Sequence, residues 1–473
     1  MIYPSRRRFL QQAPLATAFL ACSASHGSLA QSLSGRRPQA WITQGSDRVK
    51  PLALPAWSSD SAVAADSILL DPAQTAQSLL GFGGAFTDAS CYLFSRMTAG
   101  KRQALLQEFF GNGGLNLSVG RTCIGSSDYS RNAYSFDDAD APDPELKHFS
   151  IAHDQAYILP TLREARAIQP DLFLLASPWS PPGWMKSANT LLGGTMYKKY
   201  MAAYAQYFVR YIQEYRAAGI PIGAVTSQNE SDTNQDGHMP ACLWGQEYEA
   251  EFIRDHLGPA LRRAGLDTRI WLLDHNYDLW GRVLDQLSDP ALAAFVDGVA
   301  WHGYAGTPEL MSKVHEAHPG KSAYWTEGGD FYDAADYLTD WAKWSSTFTG
   351  ILRNWARCII TWNLVLDEKG QPNIGPFNCG GLITQNSQTG EISRSGLYWA
   401  LAHYSKFVQR DARVVSTRGE IGKISHVAFK NPDGSLILVL TNQGRQRDVA
   451  IRVREQALHL ESPADSIITL QWQ

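Results

Sequence analysis

Two glutamates stand out, Glu230 at the end of Ser227-Gln228-Asn229-Glu230 and Glu327 in Trp325-Thr326-Glu327-Gly328. Paired carboxyls of this kind suit the cleavage of a glycosidic bond. One, protonated, gives its proton to the leaving oxygen, and the other, ionised, meets the oxocarbenium-like carbon. A separation of about 5–5.5 Å would make the reaction retaining through a covalent glycosyl-enzyme, and one near 9 Å would make it inverting. Other groups with suitable chemistry are Arg121 and Asp128, Trp179, Asn229, His302, Tyr304 and Trp362. Asn229 would hydrogen-bond a sugar 2-hydroxyl, and Tyr304 would donate to Glu327 and favour its charged form. Each has a plainer reading when taken alone. Arg121 and Asp128 could be a structural ion pair, His302 a buried histidine, and Trp179 and Trp184 packing in a proline-rich loop. Their joint placement carries the argument.

That placement depends on the elements between them. Strand-like runs are expected at Gly81–Thr87, Leu115–Cys123, Leu172–Ser177, Gly223–Gln228, Arg269–Leu273, Gly298–His302, Ser322–Thr326 and Cys358–Asn363. Helical patterns alternate with them, at Lys101–Phe110, Tyr200–Tyr215, Glu247–Ala264, Asp333–Trp344 and Tyr398–Val408. In Tyr200–Tyr215 the apolar positions repeat at i, i+3, i+4 and i+7 over four turns, so its tyrosines are read as packing. Eight strand–helix alternations predict an α/β fold, a (β/α)₈ barrel over residues 78–409, whose site lies at the C-terminal ends of the strands. Arg121, Trp179, Asn229, Glu230, His302, Tyr304, Glu327 and Trp362 all fall at or just beyond such ends. A doubly wound sheet is the rival, but Gly81-Phe82-Gly83-Gly84-Ala85-Phe86 lacks the third glycine of a dinucleotide fingerprint. There is no G-x-S-x-G elbow and no H-E-x-x-H helix.

From residue 410 short strand-like runs follow at Val414–Thr417, Ile424–Lys430, Leu436–Thr441, Asp448–Val453 and Ser466–Gln471, separated by turn residues. Sixty residues are few for a sandwich, so residues 31–77, with strands near Ala40–Thr43 and Ser67–Leu70, are expected to complete it. Residues 1–30 read as an export signal: Arg6-Arg7-Arg8-Phe9-Leu10, an apolar run, then Ser28-Leu29-Ala30. The address is twin-arginine-like, implying a periplasmic or extracellular location, with lipidation at Cys22 as a lesser alternative. The run is too short to cross a bilayer, which takes about 20 residues, and no later segment suggests a span. Loss of three arginines takes the formal charge of −4 to about −7, which argues against nucleic acid as a partner. The five remaining cysteines lack zinc or disulfide spacing and read as core thiols. Aromatics are 11% of the chain, a composition compatible with sugar stacking but equally with packing.

The stretches Gly81-Phe82-Gly83-Gly84-Ala85-Phe86-Thr87-Asp88-Ala89, Ala176-Ser177-Pro178-Trp179-Ser180-Pro181-Pro182-Gly183-Trp184-Met185-Lys186 and Gln228-Asn229-Glu230 resemble glycoside hydrolase family 30. Trp362-Asn363-Leu364, Pro372-Asn373 and His403-Tyr404-Ser405-Lys406-Phe407 extend the resemblance over nearly all of residues 31–473, with the glucosylceramidases nearest in pattern. It implies a barrel joined to a β-sandwich made from both chain ends. It also implies a retaining mechanism with Glu230 as acid/base and Glu327 as nucleophile, and sugar contacts from Arg121, Asp128, Trp179, Asn229, His302, Tyr304 and Trp362. No metal or organic cofactor is implied, and no protein partner. The partner expected is a carbohydrate or glycolipid, first a terminal β-glucoside such as a glucosylceramide-like lipid. The alternatives are β-1,6-glucan, xylan, β-xyloside or β-fucoside, and a non-catalytic sugar-binding protein stands further off. Two departures bear on the substrate. Ser231 follows Glu230 where relatives usually carry proline, and Gly303 stands where the lysosomal relative has a bulky aromatic, which is expected to open that side of the pocket.

Overall fold

The computed structural model describes residue 33, residues 35–59 and residues 66–473. The export signal at 1–30 and Cys22 lie outside the described residues. Eight parallel strands close into a barrel: Gly81–Phe86, Val119–Cys123, Phe173–Ser177, Ala224–Thr226, Arg269–Asn276, Val296–His302, Ser322–Glu327 and Ala356–Asn363. They are the first to eighth barrel strands below, and each pairs with its sequence neighbours, the eighth returning to the first. All eight expected runs are therefore barrel strands. The second starts at Val119, four residues later than read from the sequence. Leu115 and Leu117 still donate to the carbonyls of Glu108 and Phe109, so that stretch remains tied to the preceding helix, Ala99–Phe110.

A packed layer of Val119, Leu175, Ala224, Trp271, Ala300, Tyr324, Cys358 and Ile360 fills the barrel. Trp271 and Tyr324 stack with centroids 3.7 Å apart, so the interior is solid, and the site can only form above it. Gly83 lets the first strand approach the second: a Cβ there would lie 1.7 Å from the Val119 carbonyl oxygen. The five cysteines among the described residues are free and buried.

The helix Met201–Ala217 buries Tyr204, Tyr207, Tyr211 and Tyr215, as its spacing predicts. The pattern read over Asp333–Trp344 is corrected. Residues 334–339 form i→i+3 turns, and the helix is Trp341–Arg353. Tyr337, which continued the apolar period, donates instead to the Gly381 carbonyl at 2.7 Å, and this holds its segment off the helix axis.

Both chain ends build the side domain, a ten-stranded β arrangement. Gln39–Gln44 pairs with Ser466–Trp472, and Ser67–Ser78 lies between Arg413–Arg418 and Arg447–Val453. Gln456–Ser462, not read from the sequence, pairs with Arg447–Val453. The helix Gly396–Ser405 joins barrel to sandwich. Its buried His403 lies 2.8 Å from both Thr43 and Thr469, one hydroxyl from each chain end.

Candidate active site

Arg121 leaves the second strand and is fully buried, so its charge must be balanced on the spot. It donates to Glu327 Oε2 through Nη1, and to Asn229 Oδ1 and Asp274 Oδ2 through Nη2, both at 2.7 Å. Trp179 and Trp362 stack at 5.2 Å, and the guanidinium carbon lies 4.8 and 5.4 Å from their rings. The ion pair with Asp128 considered from the sequence does not form. Asp128 Oδ1 is buried without a hydrogen-bond partner, and the residue lines the cavity instead. Burial, then the nearby Glu327 and Glu230, push its carboxyl well above the usual range.

Asp274, at the end of the fifth strand, is visible in the sequence as a strand-end carboxylate but carries no assigned role there. Its carboxylate also accepts from Ser177 and Thr226 at 2.7 Å, from Thr326 at 2.8 Å, and faces His302 Nε2 at 3.0 Å. It thus gathers side chains from the second, third, fourth, sixth and seventh strands. Burial opposes its charge, but Arg121 and His302 hold it far below the ordinary carboxylate range. Its backbone is in the left-handed region at φ 52°, and its carbonyl accepts from the N–H of Glu230, itself at φ 48°. Non-glycine residues held there cost on the order of 1–3 kcal/mol each and cluster at functional sites. Here the strain lies under one of the paired carboxylates.

The two glutamates sit in one cavity of about 390 Å³ with Asp128, Trp179, Asn229, Tyr304 and Trp362. His302 stands between them, with Nδ1 3.2 Å from Glu230 Oε1 and Nε2 3.9 Å from Glu327 Oε2. Tyr304 donates to Glu327 Oε1 at 2.9 Å, as expected from the sequence. Glu327 is therefore held on both oxygens, by Arg121 and Tyr304. Glu230 accepts from Gln235 at Oε2, 3.0 Å. Burial raises its pKa, but the hydrogen bond and charge of His302 outweigh this and leave it below the usual value. His302 in turn is disfavoured as a cation by burial, yet Glu327, Asp274 and Glu230 push it up to about 9. These surroundings favour the imidazole as a cation beside the Glu230 carboxylate. Asn229 gives its oxygen to Arg121, which leaves its amide nitrogen to donate to a ligand.

The nine residues singled out from the sequence stand together here, and others with no role assigned from the sequence stand with them. Asp274, His275 and Gln235 touch the carboxylates or their partners, and Phe331 and Phe377 stand 48% and 40% exposed at the cavity. Trp184 is a packing residue, its indole donating to Asp137. Gly303 does not open the pocket. A Cβ there would lie 2.9 Å from Trp325 Cζ2, so the indole already fills that space.

Residues 79–408 match the glycosyl hydrolase family 30 TIM-barrel domain, and residues 411–470 match the family's β-sandwich domain. An endo-1,6-β-D-glucanase of Neurospora crassa is 36% identical over 391 residues, 79% of this chain and 80% of the fungal one. The lysosomal acid glucosylceramidase of Mus musculus is 28% identical over 433 residues, 86% of this chain and 83% of its own. Among solved structures, the endo-β1,6-glucanase BT3312 superposes with a TM-score of 0.83 at 29% identity, covering 92% of this chain and 99% of that one. With both family domains matched in order over a closed barrel and its sandwich, the chain belongs to glycoside hydrolase family 30.

Proposed function

We propose that this chain is an exported, retaining endo-1,6-β-glucanase. The reading rests on one observation above others: two carboxylates share a cavity and one imidazole, yet have opposite surroundings. Glu327, gripped by Arg121 and Tyr304, attacks the anomeric carbon as nucleophile. Glu230, with its proton from the His302 pair, protonates the departing O6, then takes a proton from water to release the glycosyl-enzyme. Desolvation by the bound sugar favours the neutral arrangement, proton on Glu230 and imidazole uncharged, over the charged one. Trp179 and Trp362 offer aromatic faces to the sugar, and Asn229 donates to its 2-hydroxyl. The glucan, rather than the terminal β-glucoside first expected, is supported by the 36% identity to the Neurospora enzyme and the likeness to BT3312. Export is supported by Arg6-Arg7-Arg8-Phe9-Leu10.

The test is hydrolysis of linear β-1,6-glucan beside glucosylceramide and aryl β-glucosides, with NMR following the first anomer released. Internal cleavage giving β-anomers is expected. Exclusive release of glucose from glucosylceramide would replace the reading with a terminal glucosidase, for which the exposed Phe331 and Phe377 would be an acyl-chain rim. Glu230→Gln should spare activated aryl glycosides more than glucan, and equal loss on both would overturn its role. Glu327→Ala should abolish turnover on every substrate.

A further inference from the structure

Glu230 faces two imidazoles. His302 Nδ1 lies 3.2 Å from Glu230 Oε1, and His275 Nδ1 lies 3.8 Å from the same oxygen. The three ligand atoms are all within 4.8 Å of one another. Each ring is anchored through its other nitrogen by a carboxylate, His302 Nε2 by Asp274 at 3.0 Å and His275 Nε2 by Asp232 at 2.8 Å. Donation of that N–H orients each ring, and His275 then presents its Nδ1 lone pair while His302 does so once the ion displaces the proton facing Glu230, the arrangement that backs histidine ligands in zinc sites. His275 Nδ1 is buried with no hydrogen-bond partner, and the residue is 7% exposed. Tetrahedral ligands 2.0–2.1 Å from Zn²⁺ stand about 3.3 Å apart, so the His302–Glu230 separation of 3.2 Å already fits and the His275–Glu230 separation of 3.8 Å has about half an ångström to close. Glu230 and His275 both line the cavity, so the fourth position opens onto it.

We propose that Glu230, His275 and His302 form a Zn²⁺ site that reversibly switches the enzyme off. The ion takes the carboxylate oxygen through which Glu230 would otherwise deliver its proton. This rests on the reading of Glu230 as acid/base. Ca²⁺ and Mg²⁺ favour oxygen-rich shells of six or more ligands and should not inhibit. A second cluster, Asp137, Asp143 and His148, brings ligand atoms equally near one another. There Asp143 already accepts from the backbone and ring of His148, a 67% exposed side chain, and His148→Gln serves as the control.

Co²⁺ added to the enzyme without substrate should give the visible bands of tetrahedral coordination, which Zn²⁺ displaces. Zn²⁺ should inhibit glucan hydrolysis, and EDTA should restore it. His275→Gln should weaken metal binding at least 10-fold. Asp232→Asn, a change at a side chain 40% exposed, should weaken it by about 10-fold through loss of the anchor. No tetrahedral spectrum, undiminished binding in both variants, or binding abolished by His148→Gln would each overturn the site. Absence of binding would leave Glu230's role untouched, whereas tight binding with undiminished hydrolysis would overturn both the inhibition and that role.

Discussion

Arg121 satisfies two carboxylates and an amide with one planar fork, from a position with no access to water. Lysine keeps the charge but not the geometry. We expect Arg121→Lys to lower kcat at least 100-fold, measured on β-1,6-glucan. It should also lose about 1–3 kcal/mol of stability in urea unfolding, the cost of leaving buried acceptors without their hydrogen bonds. Asp274→Asn separates positioning from substrate contact. The amide keeps the shape but gives up the charge that holds Arg121 and His302. A fall in kcat with KM nearly unchanged is expected, and a KM effect alone would make Asp274 a binding residue. The role of Asp274 was hidden in the sequence because its importance comes from convergence: five other strands aim side chains at it, and none is near it along the chain. Glu230 and Glu327 were legible because strand ends expose them one by one, each with an aromatic or amide neighbour.

Among the elements, the barrel strands were legible because each is an apolar run bounded by turn or helix signals, and one fold accommodates eight of them. Gln456–Ser462 escaped notice for a local reason. It is joined to Arg447–Val453 by Arg454-Glu455, a two-residue turn with Arg454 at φ 57° where glycine or asparagine usually marks the bend. The sixth and seventh strands meet at Trp325, whose indole lies against both Gly303 and Gly328. Glycine is thus needed in the loop that carries Tyr304 towards Glu327. Gly303→Ala should cost about 1–3 kcal/mol by overpacking, measured by urea unfolding. It should also slow the glycosylation step by shifting Tyr304. Unchanged stability would show that the indole can move aside.

For the whole molecule, the seam between barrel and sandwich passes through His403. Burial lowers its pKa to about 3, so the folded protein keeps it neutral. The unfolded chain takes up a proton below about 6.5. This contribution is complete above pH 6.5 and is lost as pH falls from there towards 3. Between pH 7 and pH 4.5 the wild type should lose about 2 kcal/mol more than His403→Gln in urea unfolding. Equal losses would place the acid-sensitive point elsewhere. The same seam sets an order on synthesis. Thr75, in the strand that runs through the sandwich, is bonded by Arg413, 338 residues further on. At about 5–20 residues per second, that strand waits on the order of tens of seconds for its neighbours to leave the ribosome. Until then its edges are open to any other nascent chain, so the last sixty residues act as a latch, and a message truncated before them yields a barrel with an unpaired, aggregation-prone strand.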